Sequence, residues 1–180
     1  MLQLPPGVQL RRCGPTEAAT MLDRLVEVYR DARQDPEFDG PLWTREAFLD
    51  RASSQVRNPG FELVTGEVGG EIVGIAFGVP FQPGQWWAGK GTSPPPEVLA
   101  ATRFAVIELD VRKVWTGRGL GHALLDELLD GRPEEMAMLT TRPATRTRAM
   151  YDRWGWREVA ESQPPNGPVM HTLVLPLRKQ

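Results

Sequence analysis

The stretch Leu109-Asp110-Val111-Arg112-Lys113-Val114-Trp115-Thr116-Gly117-Arg118-Gly119-Leu120-Gly121-His122-Ala123-Leu124-Leu125 decides how this chain is read. Residues 104–111, which lead into it, are nearly all apolar, as a strand covered on both faces is. Leu124, Leu125, Leu128 and Leu129 follow it at helical spacing and predict an amphipathic helix from Gly121 to about Asp130. Between the two lies a glycine-rich turn. A helix start presents unpaired N–H donors and the positive end of the helix dipole, and both favour a phosphate. Glycines let that backbone approach an anion without obstruction from side chains. A G-x-G-x-G turn before a helix is also found as plain structure, so the motif by itself leaves both readings open.

Working outward, residues 8–13 read as a first strand. Thr16 caps a helix running from Glu17 to about Arg33, with its apolar stripe at Met21, Leu22, Leu25, Val26 and Tyr29. An acidic, glycine-containing loop at 35–42 precedes a second helix from Thr44 to about Ser54. Residues 61–68 and 71–81 form a hairpin turning at Gly69-Gly70. A long segment at 82–102 carries Trp86-Trp87 and a short helical start at Pro94-Pro95-Pro96-Glu97. Past the decisive stretch come a buried strand at 137–141 and a helix at 145–154 ended by Gly155. Strands at 156–160 and 170–177 then close the chain, with a turn near Pro164-Pro165-Asn166-Gly167. The order βααβββαβαββ predicts an α/β (α+β) fold, a mixed and mostly antiparallel central sheet with helices on both faces. The 180 residues suit one domain, 1–180.

Composition removes several chemistries. With only His122, His171 and Cys13, the chain is short of ligands for the common zinc arrangements, and no metal is expected. Neither histidine accompanies a nucleophile motif. A lone cysteine excludes an internal disulfide and fits a reducing cytoplasm, where the chain is expected to reside. No run of about eighteen apolar residues is present to span a membrane. The start Met1-Leu2-Gln3-Leu4-Pro5-Pro6 lacks the basic flank and apolar core of a secretory signal. A net charge of −2 argues against nucleic acid as the partner. Group transfer, in which a bound donor carries the reactive bond, stays open.

Thr116-Gly117-Arg118-Gly119-Leu120-Gly121 resembles the phosphate loop of the GNAT superfamily of acyl-CoA-dependent N-acyltransferases, whose pattern is R/Q-x-x-G-x-G/A. Both glycines match, and Thr116 stands where the family has Arg or Gln. Ala149-Met150-Tyr151-Asp152-Arg153-Trp154-Gly155-Trp156 resembles the family's second signature: a helix, a tyrosine, three residues, a glycine, and an aromatic residue opening a strand. Ala144-Thr145 replaces the asparagine often found near that helix start. A dinucleotide fold would need a ribose-binding acid about 20 residues on, after a second strand. Glu134 and Glu135 do not follow one.

The resemblance implies acetyl-CoA as acyl donor and direct attack by a primary amine, of a small molecule or a peptide, in a ternary complex. It implies that Thr116, Gly117, Arg118, Gly119, Leu120, Gly121 and His122 surround the phosphates. It implies that Leu109 and Val111 pair with the pantetheine between the strands ending at Val111 and Thr141, and that Tyr151 protonates the departing thiolate. Arg118 or Arg146 is placed to reach the 3′-phosphate; the cluster Arg142, Arg146, Arg148 and Arg153 otherwise reads as a solvated helix face.

A lysine-like amine needs about 4.6 kcal/mol to become neutral at pH 7, at about 1.36 kcal/mol per pKa unit, so the acceptor requires a base. Glu108 interrupts the apolar run 104–111 and is the candidate, with Asp110 on the same face a weaker one. An ion pair with one of the many arginines explains Glu108 equally well. Trp86, Trp87, Glu37 and Phe38 are candidate acceptor-side residues, and packing on the sheet is the other reading of the tryptophans. A CoA-binding sensor or interaction module without catalysis is the alternative function. The oligomeric state, a homodimer included, is open.

Overall fold

A computed structural model describes residues 4–177; Met1, Leu2 and Gln3 of the start discussed above lie outside the described residues. Among the described residues, eight strands hydrogen-bond in the order β1-β2-β3-β5-β6-β8-β7-β4. They are β1 (Gln9–Cys13), β2 (Glu62–Val68), β3 (Glu71–Phe81), β4 (Lys90–Gly91), β5 (Arg103–Val111), β6 (Met136–Thr141), β7 (Arg157–Gln163) and β8 (Met170–Pro176). The pairs β1–β2, β2–β3, β4–β7, β6–β8 and β7–β8 are antiparallel, and β5–β6 is parallel. The helices are α1 (Pro15–Thr20), α2 (Leu22–Ala32), α3 (Arg45–Gln55), α4 (Pro96–Ala100), α5 (Leu120–Leu129) and α6 (Arg146–Arg153).

The chain forms two compact units, Met1–Val79 with Ile107–Asp130 and Pro80–Val106 with Gly131–Gln180. In the first, Leu63, Val64, Ile75, Phe77, Leu120, Leu124, Leu125 and Leu128 are buried, so α5 turns its leucine stripe inward as its spacing predicts. Gly74 of β3 makes this seating close. A Cβ there would lie 2.7 Å from Leu124 Cδ1, so a larger residue would force the Leu124 side chain to shift. In the second unit, the β5–β6 pairing runs over Arg103↔Met136, Phe104↔Ala137 and Ala105↔Met138. Phe104, Ala137, Met138, Leu173 and Val174 form its interior.

Two features depart from the sequence reading. The long first helix is broken at Met21 into α1 and α2, and α1 begins at Pro15 after an N-cap at Gly14, not at Thr16. Proline's fixed φ suits a first helical position. At the break, the Thr20 hydroxyl donates to Glu17 O at 2.7 Å, a local bond that competes with the helix ladder. The segment 82–102 also holds a short strand, β4, paired to the edge of β7 as Lys90↔Gln163 and Gly91↔Ser162. Thr92 extends it by donating its N–H to Glu161 O at 3.0 Å. Gly89-Lys90-Gly91 has no strand signature, and the pairing arises only from the neighbouring edge.

Candidate active site

In the first unit, β5 alternates cleanly over its last residues. Glu108 and Asp110 are buried, while Ile107, Leu109 and Val111 are partly exposed. The two acids therefore share a face, as strand alternation requires. Both meet one cation, Arg33, just beyond α2. Its Nη2 donates to Glu108 Oε2 at 2.7 Å, and its Nη1 to Asp110 Oδ1. Arg51 of α3 stands 3.9 Å from Glu108 Oε1 and donates to the Tyr29 hydroxyl at 3.2 Å. The arginine ion pair, one of the two readings of Glu108, is present, with Arg33 as the partner.

The two buried carboxylates share Arg33 at close range, with Arg51 farther off. Burial pushes the Glu108 carboxyl up to about 7, Arg33 opposes that rise, and Asp110 adds to it. Burial raises Asp110 as well, again against Arg33. A carboxylate near 7 suits a general base, because it is ionised at working pH and still basic enough to accept a proton. Arg33, Arg51 and Trp43 did not stand out in the sequence, and Tyr29 did so only as part of a helical stripe. The signal available was Tyr29 and Arg33 four residues apart, which continues the buried helix face onto a cation. Arg33 borders a cleft of about 610 Å³ lined also by Asp31, Phe38, Asp39, Trp43 and Arg112. Phe38 and Trp43 meet edge to face at 5.5 Å. Glu37 is exposed in the turn Pro36–Phe38 beside this cleft.

Strand β5 ends where Arg112 N donates to Val73 O at 2.9 Å, and a single turn, Lys113–Trp115, follows. Asp31 and Asp35 fasten this turn, accepting from Lys113 N at 2.7 Å and Lys113 Nζ at 2.8 Å. The Thr116 hydroxyl donates to Lys113 O at 2.8 Å and so serves the turn itself. Gly119 is the N-cap of α5 at φ 82°, ψ −5°, with no side-chain cap bond. The first turn of α5, from Leu120, thus presents N–H groups to an outside acceptor. Arg118 lies 5.1 Å from the Trp115 ring at the edge of this cradle, and His122 Nε2 stands 3.5 Å from Asp126 Oδ1. The donor set, an uncapped helix start with an arginine beside it, fits a pyrophosphate.

The two loop glycines do different work. Gly119 holds a left-handed conformation that side chains disfavour. Gly121 is helical, and a Cβ there would meet only Val111 Cγ2 at 3.7 Å, an ordinary contact. Gly119→Val is therefore expected to weaken acetyl-CoA binding by at least about tenfold, and Gly121→Ala by less than about threefold. Calorimetry on the folded variants checks both. Equal affinities for Gly119→Val and wild type would remove the loop from the site.

In the second unit, Thr145 caps α6 by accepting from Arg148 N at 3.1 Å. Tyr151 is 6% exposed, and its ring packs edge to face on Trp154 and Trp156, each at 5.7 Å. The helix closes with Trp156 N donating to Tyr151 O and Gly155 N to Asp152 O, both at 3.1 Å, around Gly155 at φ 86°. This pattern is a Schellman closure, and it explains the glycine four residues after the tyrosine. Ala144, where the family often has asparagine, sits at φ 57°. Ala144→Gly should relieve that strain, adding about 1 kcal/mol and raising Tm by about 2–4 °C in a thermal melt.

Trp86 and Trp87 also belong to the second unit. Trp87 packs on Phe81 at 5.1 Å, and Trp86 lies 5.5 Å from the buried Arg103 guanidinium. Arg103 donates to Gln82 O at 2.8 Å and Ala101 O at 3.1 Å, tying together the two ends of the long segment. Among the described residues, no group of three or more His, Cys, Asp or Glu side chains is arranged to hold a metal ion. No helix among them is long and apolar enough to cross a membrane.

The family described as Acetyltransferase (GNAT) matches residues 22–156. A GCN5-like protein acetyltransferase of Mycobacterium tuberculosis is 35% identical over an alignment covering 49% of this chain and 49% of that protein. The chain thus spans about half the length of that curated relative. The structure resembles that of an acetyltransferase from Thermus thermophilus, with TM-score 0.61 and 18% identity over 98% of this chain and 99% of that one. It also resembles NAA60 of Arabidopsis thaliana in complex with acetyl-CoA, with TM-score 0.62 and 16% identity over 94% and 98%. At such identities the likeness is one of fold. With the family match extending across most of its length, from α2 to the start of β7, this chain belongs to the acetyltransferase (GNAT) family.

Proposed function

We propose that this chain transfers the acetyl group of acetyl-CoA to a primary amine of a small molecule or a peptide, by direct attack in a ternary complex. One observation carries the reading. Strand β5 bears a buried carboxylate raised to about 7, and the turn Lys113–Trp115 and a glycine loop lead from its end to the start of α5 at Leu120. A base on β5 and an anion cradle at the start of α5 thereby follow one another in the chain, as suits an N-acyl transfer.

Leu120, Gly121 and His122 would hold the pyrophosphate by backbone N–H groups, with Arg118 adding charge. Leu109 and Val111 lie on β5 beyond its last pair with β6, and would offer backbone groups to the pantetheine amides. When bound, acetyl-CoA supplies the activated thioester and a thiolate leaving group. Glu108 takes the proton from the incoming ammonium or amine, and Tyr151 keeps a proton at its hydroxyl for the thiolate. Glu37, Phe38, Trp86 and Trp87 are the proposed acceptor-side residues. The whole chain, 1–180, would act as one catalytic domain in the cytoplasm. Thiol release from acetyl-CoA in the presence of mixed primary amines tests the proposal. Tight acetyl-CoA binding with no amine-dependent thiol release would favour a CoA-binding sensor.

A further inference from the structure

We infer that Arg33 is the positioning residue for the general base: its guanidinium bridges Glu108 and Asp110 and holds Glu108 in the orientation and charge state that accept the amine proton. This rests on the acetyl-transfer reading given above. Three observations support it. The bridge is two-pronged, with Nη2 on Glu108 and Nη1 on Asp110, and all three side chains are largely buried, at 15%, 7% and 4% exposure. Rings gather around the guanidinium, with Tyr29 at 4.0 Å, Phe38 at 5.6 Å and Trp43 at 5.7 Å from its central carbon. Ring contacts and a two-pronged bridge of this kind suit an arginine fork, and a lysine would not reproduce both. Finally, the fork leaves capacity behind. Asp110 Oδ2 is buried and takes no bond from the fork, and Arg51 stands 3.9 Å from Glu108 Oε1.

The charged and titratable groups facing Glu108 are Arg33 and Tyr29 from α2 and its end, Arg51 from α3, and Asp110 on its own strand. Arg33 is the close cation among them, and Arg51 the distant one. Without Arg33, two buried carboxylates would face each other with only Arg51 near, and the surplus charge would be relieved by proton uptake at Glu108. Asp110 would no longer be tied down on one side, so Glu108 would lose its fixed geometry as well. An opposite charge within about 4–6 Å lowers a carboxyl pKa by about 1–3 units, so its removal should raise Glu108 by about one unit or more.

The test has two arms. Carboxyl ¹³C titration of the labelled full chain without cofactor, with Glu108 assigned through Glu108→Gln, reads the midpoint directly. The pH dependence of kcat/KM for the acceptor reads the same group in turnover. In Arg33→Gln both midpoints should move up by about one unit or more, with acetyl-CoA affinity unchanged. Arg33→Lys, which keeps a charge and loses the fork, should move them the same way by less, and it serves as the test if the glutamine variant does not fold. An unmoved Glu108 midpoint in either folded variant overturns the role of Arg33. A wild-type chain that transfers acetyl to no amine overturns the functional reading instead, and the carboxyl titration still decides whether Arg33 governs Glu108.

Discussion

Replacing Glu108 with glutamine is expected to lower kcat/KM for the acceptor amine by about 10²–10⁴-fold, the range over which a positioned base acts. Acetyl-CoA affinity should stay within about threefold, since the phosphate cradle is built from the α5 start and not from this side chain. Glutamine keeps the shape of the residue and still offers an oxygen to Arg33, so the fold should survive. Only the ionisable oxygen is lost. The pH profile sharpens the test. Burial holds the Glu108 carboxyl up at about 7, so the base form fills as pH rises and kcat/KM should climb to a plateau above about 7. The glutamine variant should lose that limb. Stability runs the other way. A carboxyl raised above its unfolded value of 4.5 keeps its proton in the folded chain after the unfolded chain has released it. The folded state is therefore favoured below that window and loses stability as pH rises from 4.5 to about 7. Urea unfolding across this range should show the decline in wild type and a flatter profile in Glu108→Gln. A variant with the wild-type rate at pH 8 would take Glu108 out of the proton path.

What the sequence made legible follows from how local each signal is. The apolar run of β5, the glycine turn and the leucine stripe of α5 lie within the 27 consecutive residues 103–129, and the strand and the helix each follow their own periodicity. The end of α6 was legible for a similar reason, because Gly155 closes a helix by a local rule. Glu108 stood out because a carboxylate in an apolar run requires a partner. Its partner did not, because Arg33 is separated from it by 75 positions and only the fold brings them together. The helix break at Met21 was hidden by a continuous apolar stripe, and β4 by a glycine-lysine-glycine segment that pairs only because an edge is available. Periodicity reports which face of an element is buried and cannot report which distant group it is buried against.

Tyr151→Phe should lower kcat by about 10²-fold, about 2.7 kcal/mol, and change acetyl-CoA affinity by less than about threefold. The substitution preserves the ring that packs on Trp154 and Trp156 and deletes only the hydroxyl. The backbone bonds from Trp154, Gly155 and Trp156 that close α6 do not involve that hydroxyl, so the helix end should remain intact. Losing one side-chain hydrogen bond costs about 1 kcal/mol of stability, too little to unfold an ordinary domain. The rate loss is placed at the lower end of the range for general acids because a thiol with pKa near 8.5 leaves tolerably well without help. The deficit should accordingly shrink as the acyl donor's leaving thiol is made more acidic, since a better leaving group needs less protonation. Pre-steady-state thiol release, measured where chemistry limits turnover, separates this from slow product release. A phenylalanine variant with wild-type kcat and no dependence on the leaving thiol would make Tyr151 a packing residue at the end of α6, and the thiolate would have to collect its proton from another group.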